Sequence, residues 1–303
     1  MTLEQLRVFV AVAERQHVTE AARALNLAQS AASHAIAVLE ARFDTPLFAR
    51  IGRRIALTEA GTAFLAEARA VLAQAARAER VLGAFGRLDR GSLAMQASQT
   101  IAGYWLPRHL AAFRRAHPGI ALQLGIGNTA SVAAAVAGGE AELGFVEGAV
   151  EDPALEVRPV ARDQLVVVVA PDHLWATEPP RAIDAVRRTD WVMREPGSGT
   201  RSVFEAHLRR AGIDPAALPV AMTLPSNEAV RAAAEAGLGA AALSASVAAP
   251  ALEAGLLHRV TLPMPERAFH VLCHRTRYRS RAAEAFLAAL PQATRSPPPT
   301  SSV

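Results

Sequence analysis

Residues 19–39, TEAARALNLAQSAASHAIAVL, decide the fold of the N-terminal part, because their apolar spacing describes two short helices meeting at a tight turn and not one long helix. Ala21, Ala22 and Leu25 make the inner stripe of the first helix. Asn26, a residue type that tolerates positive φ, stands where the chain must turn, and Leu27 plugs the angle. In the second helix Ala32, Ile36, Leu39 and Phe43 recur at helical spacing and form one buried face. That arrangement leaves Gln29, Ser30, Ser33 and His34 pointing outward. Small or hydrogen-bonding side chains on an outward strip suit base edges and phosphates in a DNA major groove. Alanine-rich helical hairpins also occur in proteins that never touch DNA, so the flanks carry weight.

After Pro46 the segment LFARIGRRIALTEAG, residues 47–61, is short and β-branched, with Arg50, Arg53 and Arg54 clustered around Gly52. It reads as a β-hairpin with a basic tip, a wing for the phosphate backbone. An arginine cluster is often only a solvated loop; beside a helix-turn-helix the phosphate role is the better reading.

From Leu3 to Gly61 the chain resembles the N-terminal domain of LysR-type transcriptional regulators. The resemblance rests on LEQLRVFVAVAE, TEAARALNLAQSAAS, VLEARF, PLFAR and RRIALTEAG, in the family's spacing over about sixty residues. It implies that Thr19, Gln29, Ser30, Ser33, His34, Arg50, Arg53 and Arg54 face double-stranded operator DNA. Three positions depart from the family pattern. Ala28 stands where Ser is usual and removes a side-chain N-cap, a loss of about 1 kcal/mol. His34 stands where Arg is frequent and softens a phosphate contact, and Asp44 replaces a Gly but can adopt the left-handed conformation.

Composition fits this organisation without specifying it. At 303 residues and 51% hydrophobic content the chain is long enough for a small domain plus one or two larger ones. The net charge of +4 lies mostly at the front, where residues 1–90 hold 12 Arg against 9 acids. All basic residues are Arg. The single cysteine, Cys273, cannot form an internal disulfide and follows an apolar, strand-like AFHVLC, which predicts a small buried residue. With no charged-then-apolar leader at the N-terminus, a cytoplasmic protein is expected. The uncharged run from Gly119 to Gly139 holds too many glycines and polar residues for a membrane span.

Thr58 to Arg87 reads as one helix opened by a Thr58 cap. Phe64, Ala68, Val71, Ala75, Ala78, Leu82 and Phe85 recur at spacings of four and three, a coiled-coil seam that wants a partner. The resemblance implies a linker helix that pairs two chains into a homodimer, and further into a homotetramer, on a near-palindromic site. RNA polymerase is a further candidate partner.

From Gly91 onward strands alternate with helices. Strand-like segments are 92–97, 120–126, 143–146, the solid LVVVVA at 165–170, and TDWVMRE at 189–195; helix-like segments are 101–117, 131–137, 200–211 and 227–236. This is an α/β pattern with parallel sheets and ligands at strand ends. The family resemblance extends here and implies two subdomains, like a periplasmic binding protein, joined by crossings near Ala161–Asp163 and Pro263–Glu266. The expected organisation is therefore multidomain. A mostly α winged helix-turn-helix occupies 1–60, a linker helix 61–90 and an effector domain 91–295, with subdomain I at 91–161 and 267–295 and subdomain II at 162–266. A proline- and serine-rich tail, 296–303, follows.

The polar residues of this half gather at strand-to-helix junctions, where free N–H groups and the helix dipole attract anions. Ser98, Gln99 and Thr100 precede one helix, and Asn128 and Thr129 another. Glu195-Pro-Gly-Ser-Gly-Thr-Arg201 precedes a third, where Ser198, Gly199, Thr200 and Arg201 offer hydroxyls, close backbone approach and a guanidinium fork. Ser226 and Asn227 open a fourth. Singly, each is a normal helix cap; together they predict a pocket for a small anion, a sulfur oxyanion, phosphate or carboxylate. IGNT, FVEG and REPGSGTR most resemble regulators of sulfur assimilation and carbon fixation. Glu147 in FVEG either repels an anion or accepts a hydrogen bond from an amine or hydroxyl of the effector.

No metal-ligand spacing joins the nine His and one Cys, and no nucleophile elbow or dinucleotide-binding GxGxxG is present. A regulator gated by a small effector, with no metal or cofactor and no catalysis, is the expected function. The alternatives are an enzyme or a solute-binding protein acting on a phosphorylated or carboxylated small molecule.

Overall fold

The computed structural model describes residues 1–51, 54–84, 91–180 and 182–291. They form two compact units, one of residues up to Leu82 and a larger one from almost all of the rest.

In the first unit, helix α1 (Leu3–Arg15) opens with a capping box in which Thr2 and Gln5 exchange side-chain and backbone bonds. Helix α2 (Val18–Ala24) is capped by the His17 imidazole, and Asn26 turns the chain at φ 55° into α3 (Gln29–Phe43). Val8, Ala11, Val12, Ala21, Ala22, Ala32 and Ile36 close the three-helix core, with Leu25 and Leu27 packed at its edge. Strands β1 (Phe48–Ile51) and β2 (Arg54–Leu57) pair antiparallel, and α4 (Glu59–Ala84) follows, its first turn capped by the Thr58 hydroxyl on Gly61 N. A methyl at Gly61 would come within 2.1 Å of the Leu47 carbonyl oxygen, so only glycine lets α4 start against the wing.

Two expectations change here. Phe43 is 57% exposed, with the Arg42 guanidinium over its ring, because α3 outruns the core that Ala32, Ile36 and Leu39 reach. The seam along α4 is split: Phe64 and Ala68 pack within the chain beside Leu6, Phe9, Leu39 and Leu47, while Val71 and Ala78 are exposed. Phe85 and Arg87 lie outside the described residues.

The second unit begins with β3 (Gly91–Ser98), α5 (Gln99–Tyr104), α6 (Leu106–Ala116), β4 (Ile120–Gly127), α7 (Thr129–Gly138) and β5 (Leu143–Val146). The single helix expected over 101–117 is broken at Trp105, since Pro107 has no N–H to continue the ladder. Strand β6 (Leu155–Val169) is followed by the short α8 (Leu174–Thr177), β7 (Trp191–Arg194), α9 (Gly199–Arg210) and β8 (Val220–Leu224). Then come α10 (Asn227–Glu235), β9 (Ala241–Ser244), α11 (Ala245–Glu253), β10 (His258–Val260), β11 (Glu266–His274) and α12 (Arg281–Ala289).

The main sheet runs β10-β6-β11-β5-β3-β4, with β9 also paired to β6. It is mixed and not wholly parallel. β3 runs parallel to β4 and β5, but β11 is antiparallel to β5 and β6, because the chain returns from one lobe to the other along β11. β6 serves both lobes: its first part pairs with β11, its last residues with β9 and β10. Leu165, Val167 and Val169 face one core and Val166 and Val168 the opposite one, which is why the sequence there is solidly apolar. Cys273 is buried on β11 among Phe113, Phe145 and Phe286, and burial pushes its thiol up in pKa.

Candidate DNA interface and effector cleft

In the first unit the tight turn at Asn26 sets α3 across α2, and burial of Ala32, Ile36 and Leu39 forces the opposite stripe outward. Gln29, Ser30, Ser33 and His34 are all exposed, and Thr19 is half-buried in the first turn of α2. Ala28 gives α3 no side-chain cap; Ala31 N–H turns to the Ala28 carbonyl (3.1 Å), and the N–H groups of Gln29 and Ser30 remain available to an external acceptor such as phosphate. Arg50 and Arg54 lie on the two wing strands, Arg54 opposite Ile51 in the last pair of the ladder and Arg50 opposite Ile55 in the pair before it. Their side chains, and Gly52 and Arg53 altogether, lie outside the described residues. One organising residue escaped the sequence: the Glu40 carboxylate on α3 accepts from Leu47 N (2.7 Å) and Phe48 N (3.1 Å), tying the wing to the exposed helix.

In the second unit the four junctions do converge, and they meet by bonding to one another. One hydrogen-bonded chain crosses between lobes twice. Asn128 Nδ2 donates to Glu195 Oε1 (3.1 Å), Arg194 clasps Glu195 with Nε and Nη2 (2.8 and 2.9 Å), and Arg194 Nη1 donates to Asn227 Oδ1. Asn227 Nδ2 then reaches Thr100 Oγ1 (3.0 Å), while Gln99 receives Asn227 N–H (2.9 Å) and donates to the Pro225 carbonyl (2.8 Å). Burial alone would raise the Glu195 carboxyl, but the bonds from Arg194 and Asn128 and the Arg194 charge outweigh it and hold the group below its ordinary value.

A second chain lies deeper. Ser98, at the start of α5, does not cap that helix; its hydroxyl donates to Glu147. Glu147 Oε1 lies 3.8 Å from Arg267 Nη1, and Arg267 Nε donates to Asp163 Oδ2 at 2.7 Å. Ser244 Oγ donates to the other Asp163 oxygen (2.8 Å), and Thr200 Oγ1 accepts from Arg267 Nη1 (3.0 Å). Every member is buried. Glu147 is therefore neither free nor alone: it is one of two carboxylates around a single guanidinium.

Ser198 and Ser226 serve as N-caps of α9 and α10, and Asn128 Oδ1 caps α7 through Ser131 N. The Arg201 fork is engaged inside its own lobe, Nε on Glu205 (2.7 Å) and Nη1 on the Arg194 carbonyl (3.0 Å). Gly199 meets the other lobe with no room for a side chain. A methyl there would lie 2.5 Å from Thr129 Oγ1 and 2.8 Å from Gly148 N. That Thr129 hydroxyl, where the α7 and α9 starts meet, is buried and has no hydrogen-bond partner. A cavity of about 310 Å³ adjoins it, lined by Thr129, Ala133, Val150, Asp152, Gly197 and Ser202. That volume suits a small molecule.

Arg194, Asp163, Ser244 and Arg267 were missed by sequence reading. Arg194 opens REPGSGTR, but its bond to Asn227 spans 33 residues, and the bonds joining Asp163 to Ser244 and Arg267 span 81 and 104, with no local motif to mark those three. Among the described residues no cluster of three or more His, Cys, Asp or Glu could hold a metal ion, and no helix is long and apolar enough to cross a membrane.

Residues 3–62 match the family model described as bacterial regulatory helix-turn-helix protein, lysR family, and residues 86–295 match that of the LysR substrate binding domain. The chain is 35% identical to a probable RuBisCO transcriptional regulator of Cyanidioschyzon merolae, covering 94% of this chain and 96% of that protein. It is 34% identical to the uncharacterized HTH-type transcriptional regulator YeiE of Escherichia coli, covering 95% and 96%. Among solved structures, CbnR, a LysR family transcriptional regulator, superposes with a TM-score of 0.70 at 24% identity over 95% of this chain and 98% of that one.

Proposed function

The chain belongs to the LysR family of bacterial transcriptional regulators, DNA-binding proteins with an effector-binding domain, and from that premise we propose that its effector is a small oxyanion held where α7 and α9 meet. The observation that carries this reading is the orphaned Thr129 hydroxyl between two helix starts, at a place where the lobes approach on bare glycine. Arg194 and Arg201 are engaged by protein acceptors, and Arg267 bonds Asp163 and Thr200 through Nε and Nη1 while its Nη2 is buried beside Asp163 without a hydrogen bond, so hydroxyl and backbone N–H donors at the helix starts would hold the anion. Gln99, Thr100, Asn128, Thr200 and Asn227 would then act by holding the lobes around it, Ser198 and Ser226 by fixing their helix starts and Ser98 by orienting Glu147, which would accept from a hydroxyl or amine of the effector. A sulfur oxyanion, phosphate or short carboxylate fits this donor set. The similarity to a probable RuBisCO regulator supports targets in carbon fixation.

On the DNA side, Gln29, Ser30, Ser33 and His34 would read the major groove, with Thr19, Arg50, Arg53 and Arg54 on phosphates. α4 would pair two chains into a dimer, and dimers into a tetramer, along its exposed Val71 and Ala78 side. RNA polymerase is the partner such a complex would address, in the cytoplasm, and no catalytic step is assigned.

Binding of the full-length protein to its own upstream DNA tests the proposal, across a salt series, with and without sulfite, sulfate, phosphate and glycolate. Sequence-selective binding whose affinity shifts with one of these anions is expected. Selective binding that none of them shifts would overturn the oxyanion.

A further inference from the structure

Glu147 and Gly148 are neighbours in sequence, as are Gly199 and Thr200. The lobes touch through the two glycines, and the residue beside each glycine faces the same guanidinium. Arg267 Nη1 donates to Thr200 of α9 at 3.0 Å and lies 3.8 Å from Glu147 at the end of β5. The rest of that guanidinium is anchored elsewhere: Nε and Nη2 both lie 2.7 Å from Asp163 Oδ2, the register partner of Arg267 across the β6–β11 pairing where the chain passes between lobes. Asp163 extends the link through Ser244, which caps α11 in the second lobe.

We infer that Arg267 is a positioning residue that converts the separation of Gly148 and Gly199 into a change at the strands joining the lobes, without itself holding the effector. The inference rests on the cleft being the effector site. Its physical basis is the rigidity of a planar guanidinium, whose donors keep fixed angles to one another. Anything that enters beside Thr129 and parts the glycines carries Thr200 and Glu147 apart, and one fork cannot follow both while Asp163 holds its other edge. The contact to Thr200 or the approach to Glu147 is lost, and Asp163 feels the turn. A lysine ammonium, a single point charge on a flexible stem, would follow the motion and pass nothing on.

The test uses the full-length protein and two variants, R267K, which keeps the charge and loses the fork, and T200V, which keeps the shape and loses the acceptor. Phosphate, sulfate, sulfite and glycolate are the probes. For the anion that shifts operator affinity in the parent, the shift, expected to be about tenfold, falls below about twofold in both variants. Affinity of R267K for the anion itself stays within about threefold, less than 1 kcal/mol at tenfold per 1.4. An undiminished shift overturns the inference, and so does a loss of anion affinity beyond about tenfold, which would make Arg267 a direct ligand.

Hydrogen exchange of T200V without any anion decides the matter separately. Amides at 161–165 are expected to exchange faster together with those at 199–202; acceleration confined to 199–202 would break the link. A parent protein indifferent to every anion would sink the effector reading, while this exchange comparison would still judge Arg267.

Discussion

The exposed face of α3 and the cleft between the lobes spend their polar groups in opposite ways. On α3 the side chains stand in solvent, above a core of alanine, isoleucine and leucine that holds the helix whatever its outer stripe carries. In the cleft Ser98, Thr100, Asn227, Arg194 and Arg267 are buried, and most of them bond to partners from the other lobe or from the joining strands. The first region is a surface whose residues can change without cost to the fold; the second makes recognition and stability the same bonds. A regulator built this way can vary its operator freely, whereas a change of effector must be reconciled with folding.

Asp163→Ala gives the sharpest contrast. It strands the buried Arg267 guanidinium beside Glu147 alone, and removing one partner of a buried pair costs about 3–5 kcal/mol. Chemical unfolding of the full chain should show a loss of that size; less than about 1 kcal/mol, the ordinary value of an exposed pair, would mean that water reaches the cluster. Gln29→Ala should do the reverse, leaving unfolding within about 0.5 kcal/mol of the parent while weakening operator binding by about 1–3 kcal/mol. Equal binding to the operator and to scrambled DNA in the parent would remove α3 from the reading role.

Ala28→Ser tests whether the bare start of α3 matters to DNA. Supplying the missing cap should stabilise the protein by about 1 kcal/mol, and if the first-turn N–H groups serve a phosphate, operator affinity should fall as stability rises. A gain in both would show that the bare cap has no role in binding. The smallest effect concerns His270 on β11, whose imidazole burial holds below its ordinary pKa of 6.5. The unfolded chain takes the proton more readily, so this stabilisation is complete above 6.5 and is lost as pH falls through the lowered folded value. The melting temperature of His270→Gln should therefore decline less than the parent's on acidification from neutrality, and parallel curves would contradict the assignment.

What could be read from the sequence follows the same division. The α2–α3 turn, the wing and the Gly199 helix start were legible because each is specified within a dozen residues by helical periodicity, a hairpin or a cap. Phe43 misled because a repeating apolar spacing does not say where the underlying core ends, and Phe64 and Ala68 misled because a seam looks alike whether its partner is a second chain or α1 and α3. In the cleft the helix starts were visible and their bonding was not. The clasp of Arg194 on Glu195 lies between neighbours, but the bonds that give it meaning run to Asn128 and Asn227, 67 and 33 residues away. Arg267 carries no local pattern at all, only a strand register fixed by the whole sheet.

That register belongs to β6, which passes unbroken from the first lobe into the second, edged by β11 along one stretch and by β9 and β10 along the next. Strands of this kind carry a right-handed twist, so the two lobes hang on one twisted ribbon of backbone, and Asp163 sits where that ribbon exchanges β11 for β9 and β10 as its edge.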